Sequence, residues 1–186
     1  MREPLEADFQ RAYDLLASEE AACIQWATER RMYGRSRTTL GDDQWSALIA
    51  RHNSLLSRQM QILRMYSHSK AAPDSGQSFT QFDMLTRMWR HGCMDLLEPL
   101  RENLPDTRLH MLTFVQIGHS MFSELYSVAP SHVSTVTACL GYLDRYRSVH
   151  CPVLPSHCFF LSFNMKSAYD NSSSHQRHIY RVMFGY

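Results

Sequence analysis

The sequence predicts an all-α protein, an antiparallel array of helices joined by short loops. Three observations predict it. Apolar residues recur at three- and four-residue spacing through most of the chain. Prolines and polar clusters punctuate those stretches at intervals that suit helices. No segment alternates apolar and polar residues as a half-buried strand would. A length of 186 residues fits one domain with a real core.

The first helix is expected from Glu6 to about Tyr33, with Phe9, Tyr13, Leu16, Ile24 and Trp26 as apolar points. "GRSRTT" (Gly34 to Thr39) breaks it. Asp42 or Asp43 is expected to cap the second helix, the clearest amphipathic one. Its stripe is Trp45, Leu48, Ile49, His52, Leu55, Leu56, Ile62, Leu63 and Tyr66. Ser67 to Ser78 reads as a loop, and Ser78 with Gln81 fits a capping box for the third helix. That helix carries Phe82, Leu85, Met88, Trp89, Leu96, Leu97 and Leu100, with a kink expected at Pro99. Pro105 ends it, and Asp106 is expected to cap the fourth.

The fourth helix, about Thr107 to Ala129, leaves almost no polar side and is expected to be buried among others. Pro130 breaks the chain. Ser131 is expected to cap a fifth helix ending near Arg147. "SVHCPVLPSH" reads as a linker, and the tail from Cys158 to Tyr186 is helix-prone but broken by "DNSSSH".

Charge narrows the function classes. Lys+Arg number 19 against 18 Asp+Glu, a formal net charge of +1, unlike the basic domain of a strong non-specific nucleic-acid binder. Nearly all the cations are arginines, whose planar fork suits phosphate; Lys70 and Lys166 are the lysines. Five scattered cysteines and an acidic, polar N-terminus predict an intracellular protein, nuclear or cytoplasmic. No apolar run has the length to span a bilayer, so no membrane partner is expected.

Enzymatic motifs are missing. Neither HExxH, CxxC nor a glycine-rich phosphate loop occurs, and no Ser-His-Asp set can be argued from spacing. "HCPVLPSHC" (His150 to Cys158) holds two His-Cys pairs, but adjacent ligands do not readily chelate one ion from a regular backbone. A linker is the better reading, and no metal or cofactor is expected. Histidines such as His52, His91, His110 and His119 fall in helices, where packing is the ordinary role.

Two groups of cations remain. "CLGYLDRYR" (Cys139 to Arg147) puts Arg145 and Arg147 in a last helical turn, where cations meet the negative end of the dipole. That is the ordinary reading. The alternative is an anion grip: Arg145 and Tyr146 share a side and can line a groove, while Arg147 is turned about 200° away. "ERRMYGRSR" (Glu29 to Arg37) is the most basic segment, with Arg30, Arg31, Arg35 and Arg37 as candidates for nucleic-acid backbone contact, alongside the helix-borne Arg90. Its ordinary reading is a solvated loop.

The stretch "MWRHGCMDLLEPLRENLPDTRLHMLTFVQIGHSMFSELYSVAPSHVSTVTACLGYLDRYR" (Met88 to Arg147) resembles the Est/Smg-type DNA/RNA-binding domain family. That family includes telomerase-recruitment factors and nonsense-mediated-decay adaptors, and the likeness is to its fungal branch. "CIQWATERR" and "LGDDQWSALIARHNSLL" extend it upstream, so it covers about Cys23 to Arg147. The resemblance implies a 14-3-3-like, tetratricopeptide-like arrangement of helices. It implies a non-enzymatic adaptor in RNA decay or telomere maintenance, with phosphoprotein or ribonucleoprotein partners. Carried over, Arg145 and Tyr146 would grip phosphate. Tyr142 stands where the family has an aspartate, and Met94 where the decay adaptors have a second cation.

Residues 1–149 are expected to form the Est/Smg-type helical domain. Residues 150–186 read as a linker and a degenerate or truncated C-terminal hairpin, with "NMKSAYDNSSSHQRHIYRVM" as its echo. Three functions follow. The first is the phosphate-reading adaptor. The second is a single-stranded DNA/RNA-binding module of telomerase-associated type. The third is an inactive shortened paralogue, or a truncated gene model, whose partner surface went with the missing hairpins.

Overall fold

The long periodic stretches of the sequence fold as helices, and no strand occurs among the described residues. The structure is a computed structural model describing residues 3–33, 40–68 and 81–150. The chain divides into two compact units, Met1–Glu102 and a second beginning at Asn103.

In the first unit, helix α1 (Glu3–Tyr33) packs on α2 (Asp42–His68). Leu16, Cys23 and Ala27 of α1 are buried. Two consecutive carboxylates on α1 reach different neighbours. Glu19 accepts from Arg58 Nε at 2.6 Å and from Ser54 Oγ at 3.1 Å, both on α2. Glu20 takes the guanidinium of Arg87, with Nε 2.9 and 3.0 Å from its two oxygens. Arg87 also donates to Tyr13 Oη at 3.2 Å and lies over that ring. Its Glu20 partner holds Arg87 charged, pushing its pKa further up.

Helix α2 begins one residue earlier than an aspartate cap would require. Gly41 is the cap: its carbonyl accepts from the N–H groups of Gln44 and Trp45 at 3.0 and 3.1 Å. Gln44 Oε1 accepts in return from the Gly41 N–H at 3.0 Å. This reciprocal pair satisfies donors that a helix start leaves open. Asp42 and Asp43 sit in the first turn, where the dipole favours them. The buried stripe of α2 includes Trp45, Leu48, Ile49, His52, Leu55, Leu56, Ile62 and Leu63, as the periodicity predicts; Tyr66 is only half-buried.

The third predicted helix is three pieces: α3 (Gln81–Arg87), a π-helical segment (Met88–Met94) and α4 (Asp95–Glu102). Pro99, where a kink is expected, lies buried inside α4. Pro99 has no N–H for the carbonyl four residues back, at Asp95, and its ring crowds that carbonyl. The wider π turn lies upstream, where the Asp95 N–H reaches the Arg90 carbonyl. It presses Gly92 against α2 so closely that a Cβ there would lie 2.5 Å from Leu56 Cδ2. Ser78 of the predicted capping box lies outside the described residues.

The second unit pairs α5 (Arg108–Val128) with α6 (Val133–His150) through a 3-10 turn, Pro130–His132, which contains Ser131. Thr107, not Asp106, occupies the cap position of α5; its carbonyl accepts from Met111 N–H at 2.9 Å. Helix α5 is not buried all round. Met111, Phe114, Val115, Gly118, Phe122 and Leu125 form its buried stripe, while Leu109 is 77% exposed. Its Tyr126 Oη bonds Thr137 Oγ1 of α6 at 3.0 Å. No described helix is long and apolar enough to cross a membrane.

Candidate functional site

Helix α6 buries Val136, Cys139, Leu140 and Leu143, a stripe at three- and four-residue spacing. Tyr146 continues that stripe and is only 8% exposed. Arg145 is about 100° round the helix and exposed. The two expected members of a phosphate grip therefore differ in environment: one faces solvent and the other is packed. Arg147 is half-buried. Among the described residues the Arg145 side chain has no acidic partner, and its carbonyl accepts from Ser148 Oγ at 3.2 Å.

The neighbouring Asp144 turns toward α5. Its Oδ1 lies 3.8 Å from His119 Nε2, and His119 Nδ1 is 3.4 Å from Ser123 Oγ. These are Ser, His and Asp side chains in a chain, but the separations are long and the group lies partly open at the surface. The sequence conceals it because the members come from two helices.

The basic segment at the end of α1 is committed inside its own unit. The Arg30 guanidinium lies 5.9 Å from the Trp26 ring centroid and 5.5 Å from that of Trp45. Burial pushes its pKa down, against the opposing charge of Glu102. Arg31 donates to Asp95 Oδ1 at 3.1 Å and to the Ala27 carbonyl at 3.2 Å, with its side chain still 67% exposed. Asp95 Oδ2 bonds His91 Nδ1 at 2.9 Å, so one carboxylate ties α1 to the π segment. Arg90, on that segment, is exposed and has no ion pair among the described residues. Arg35 and Arg37 lie outside the described residues.

His52 is fully buried, and its Nδ1 meets the Gly92 carbonyl at 3.0 Å. The Trp26 ring meets its edge at 6.4 Å between centroids. Burial depresses its pKa, and the Gly92 bond opposes that less strongly. It is a packing histidine that fastens the π segment to α2. Burial pushes the Cys23 thiol up to about 11 and the Cys93 thiol higher, which removes nucleophilic character from both.

No group of three or more His, Cys, Asp or Glu side chains suited to a metal occurs among the described residues. Apart from His150 the "HCPVLPSHC" stretch lies outside them, as does the predicted C-terminal echo.

Nothing matches this chain in comparisons with protein families, curated proteins and solved structures. The Est/Smg-type likeness is thus carried by the quoted motifs alone.

Proposed function

We propose that this chain is a non-enzymatic helical adaptor that binds a phosphorylated protein, or a ribonucleoprotein partner, through the last turns of α6. The setting implied by the Est/Smg-type resemblance is RNA decay or telomere maintenance. One observation carries the reading: Arg145 is solvent-facing and free of any acidic partner among the described residues. A guanidinium in that state makes charge-assisted, two-nitrogen bonds to phosphate without first breaking an ion pair. Tyr146 enters as the packed residue that fixes the turn from which Arg145 projects.

The single-stranded nucleic-acid reading has weaker support. Such binding uses a track of available cations and aromatic faces. Here Arg30 is engaged by two tryptophan rings and Arg31 by Asp95. Arg90 is the free cation of that group among the described residues.

Fluorescence anisotropy with phosphoserine peptide libraries tests the proposal. Phosphate-dependent binding that falls at least tenfold in Arg145→Ala is expected. Equal binding of phosphorylated and unphosphorylated peptides, or binding untouched by Arg145→Ala, defeats it. Oligonucleotide binding that survives Arg145→Ala and falls in Arg90→Ala would favour the nucleic-acid reading.

A further inference from the structure

Several exposed serines among the described residues share one posture: the hydroxyl donates to a carbonyl one turn back in its own helix. They are Ser57 to Asn53, Ser67 to Arg64, Ser127 to Glu124 and Ser148 to Arg145. Their surroundings differ. Ser127 follows a glutamate by three residues, and Ser57 has an asparagine four before it. Ser67 has one arginine three residues before it. Ser148 has two, Arg145 and Arg147, at three residues and one residue before it. It also lies in the last described turn of α6. A basic approach and an exposed hydroxyl are what a protein kinase with an acidic substrate cleft needs.

We propose that Ser148 is a phosphorylation site, and that its phosphate occupies Arg145 within the same chain. In the transfer, the γ-phosphoryl group of ATP moves to Ser148 Oγ. The new P–O bond forms as the bond to ADP breaks, and the hydroxyl proton passes to the kinase's base. The product places a near-dianion one turn after Arg145, and residues three apart on a helix are neighbours. Arg147, adjacent in sequence, points elsewhere and serves recognition by the kinase. Phosphate at a helix C-terminus opposes the dipole, so the charge-assisted pair with Arg145 decides whether the turn holds. Resting on the adaptor reading, the consequence is regulation: the modified chain has no free Arg145 for a partner's phosphate.

The test uses the full chain. The unmodified protein is incubated with ATP and the cyclic-AMP-dependent protein kinase, a basic-directed enzyme, and mapped by mass spectrometry. One phosphate at Ser148, absent in Ser148→Ala, is expected; modification confined to other serines overturns the site. Phosphoserine is then encoded at position 148 in the native and Arg145→Ala backgrounds, and phosphorus NMR follows its second ionisation. The native background should ionise at lower pH than a free phosphoserine peptide, and Arg145→Ala should restore the peptide value. Identical titrations in the two backgrounds overturn the pairing, whatever the protein binds. Peptide anisotropy adds the consequence: affinity at least tenfold weaker in the encoded form. If the unmodified chain binds no phosphopeptide, the adaptor reading fails while the phosphorus titration still judges the pairing.

Discussion

At the residue scale, Gly92 and Glu20 show how much a single side chain can constrain. Gly92 sits where a Cβ would meet Leu56 Cδ2 at 2.5 Å and Gln59 Oε1 at 3.1 Å. Gly92→Ala is expected to destabilise the chain by about 1–3 kcal/mol, the range for overpacking a tight core, read as a lower urea midpoint. Glu20 is nearly buried opposite Arg87, whose side chain is 26% exposed. Removing one partner strands the other, so Glu20→Ala should cost about 2–4 kcal/mol, somewhat below a fully buried pair. Asp8→Ala, which breaks an exposed pair with Arg11, should cost less than about 0.5 kcal/mol. Equal losses in the two variants would refute the contrast. Neither role was legible beforehand. Glu20 and Gly92 look ordinary in the sequence because their partners lie 67 and 33 or more positions away in the chain.

At the element scale, the π segment is held against α2 by a buried histidine. The pKa of His52 is depressed in the folded chain, while the unfolded chain binds its proton near the usual value of about 6.5. Above about pH 6.5 both states are neutral at this residue and it adds no pH dependence. Below it, the unfolded state takes up a proton that the folded state resists. Stability should therefore fall as pH drops, with a slope up to about 1.4 kcal/mol per pH unit from this residue. Urea midpoints from pH 7.5 to 5 for the native chain and His52→Gln check this. A variant with the same pH slope as the native chain would show that His52 is not responsible. The periodicity placed His52 on the inner face of α2 correctly, since a 3.6-residue repeat needs no tertiary information. It could not place the π turn. The hydrophobic pattern from Phe82 to Leu100 reads as one helix, and the extra-wide turn appears only when Gly92 and Pro99 are seen against α2 and the Asp95 carbonyl.

For the whole molecule, the distribution of free cations matters more than the net charge of +1. If oligonucleotides bind, Arg90, exposed and without an ion pair among the described residues, should contribute to the salt dependence, while the engaged Arg30 and Arg31 should not. Arg90→Ala is expected to reduce the slope of log affinity against log salt by about 1, and Arg30→Ala to leave it unchanged. A slope that also falls in Arg30→Ala would mean that Arg30 leaves its tryptophan rings to reach phosphate. What the sequence by itself determined was the helical class, the inner face of α2, and which residues are cations. Those follow from local periodicity and from side-chain chemistry, which one chain carries in its own order. Only the tertiary structure decided which cations are available. Arg30 lies between tryptophans from two helices, Arg31 meets an aspartate 64 positions away, and Tyr146 turns inward while Arg145 does not. Whether a charge is neutralised depends on what packs beside it, and that distance is set by the fold rather than by spacing along the chain.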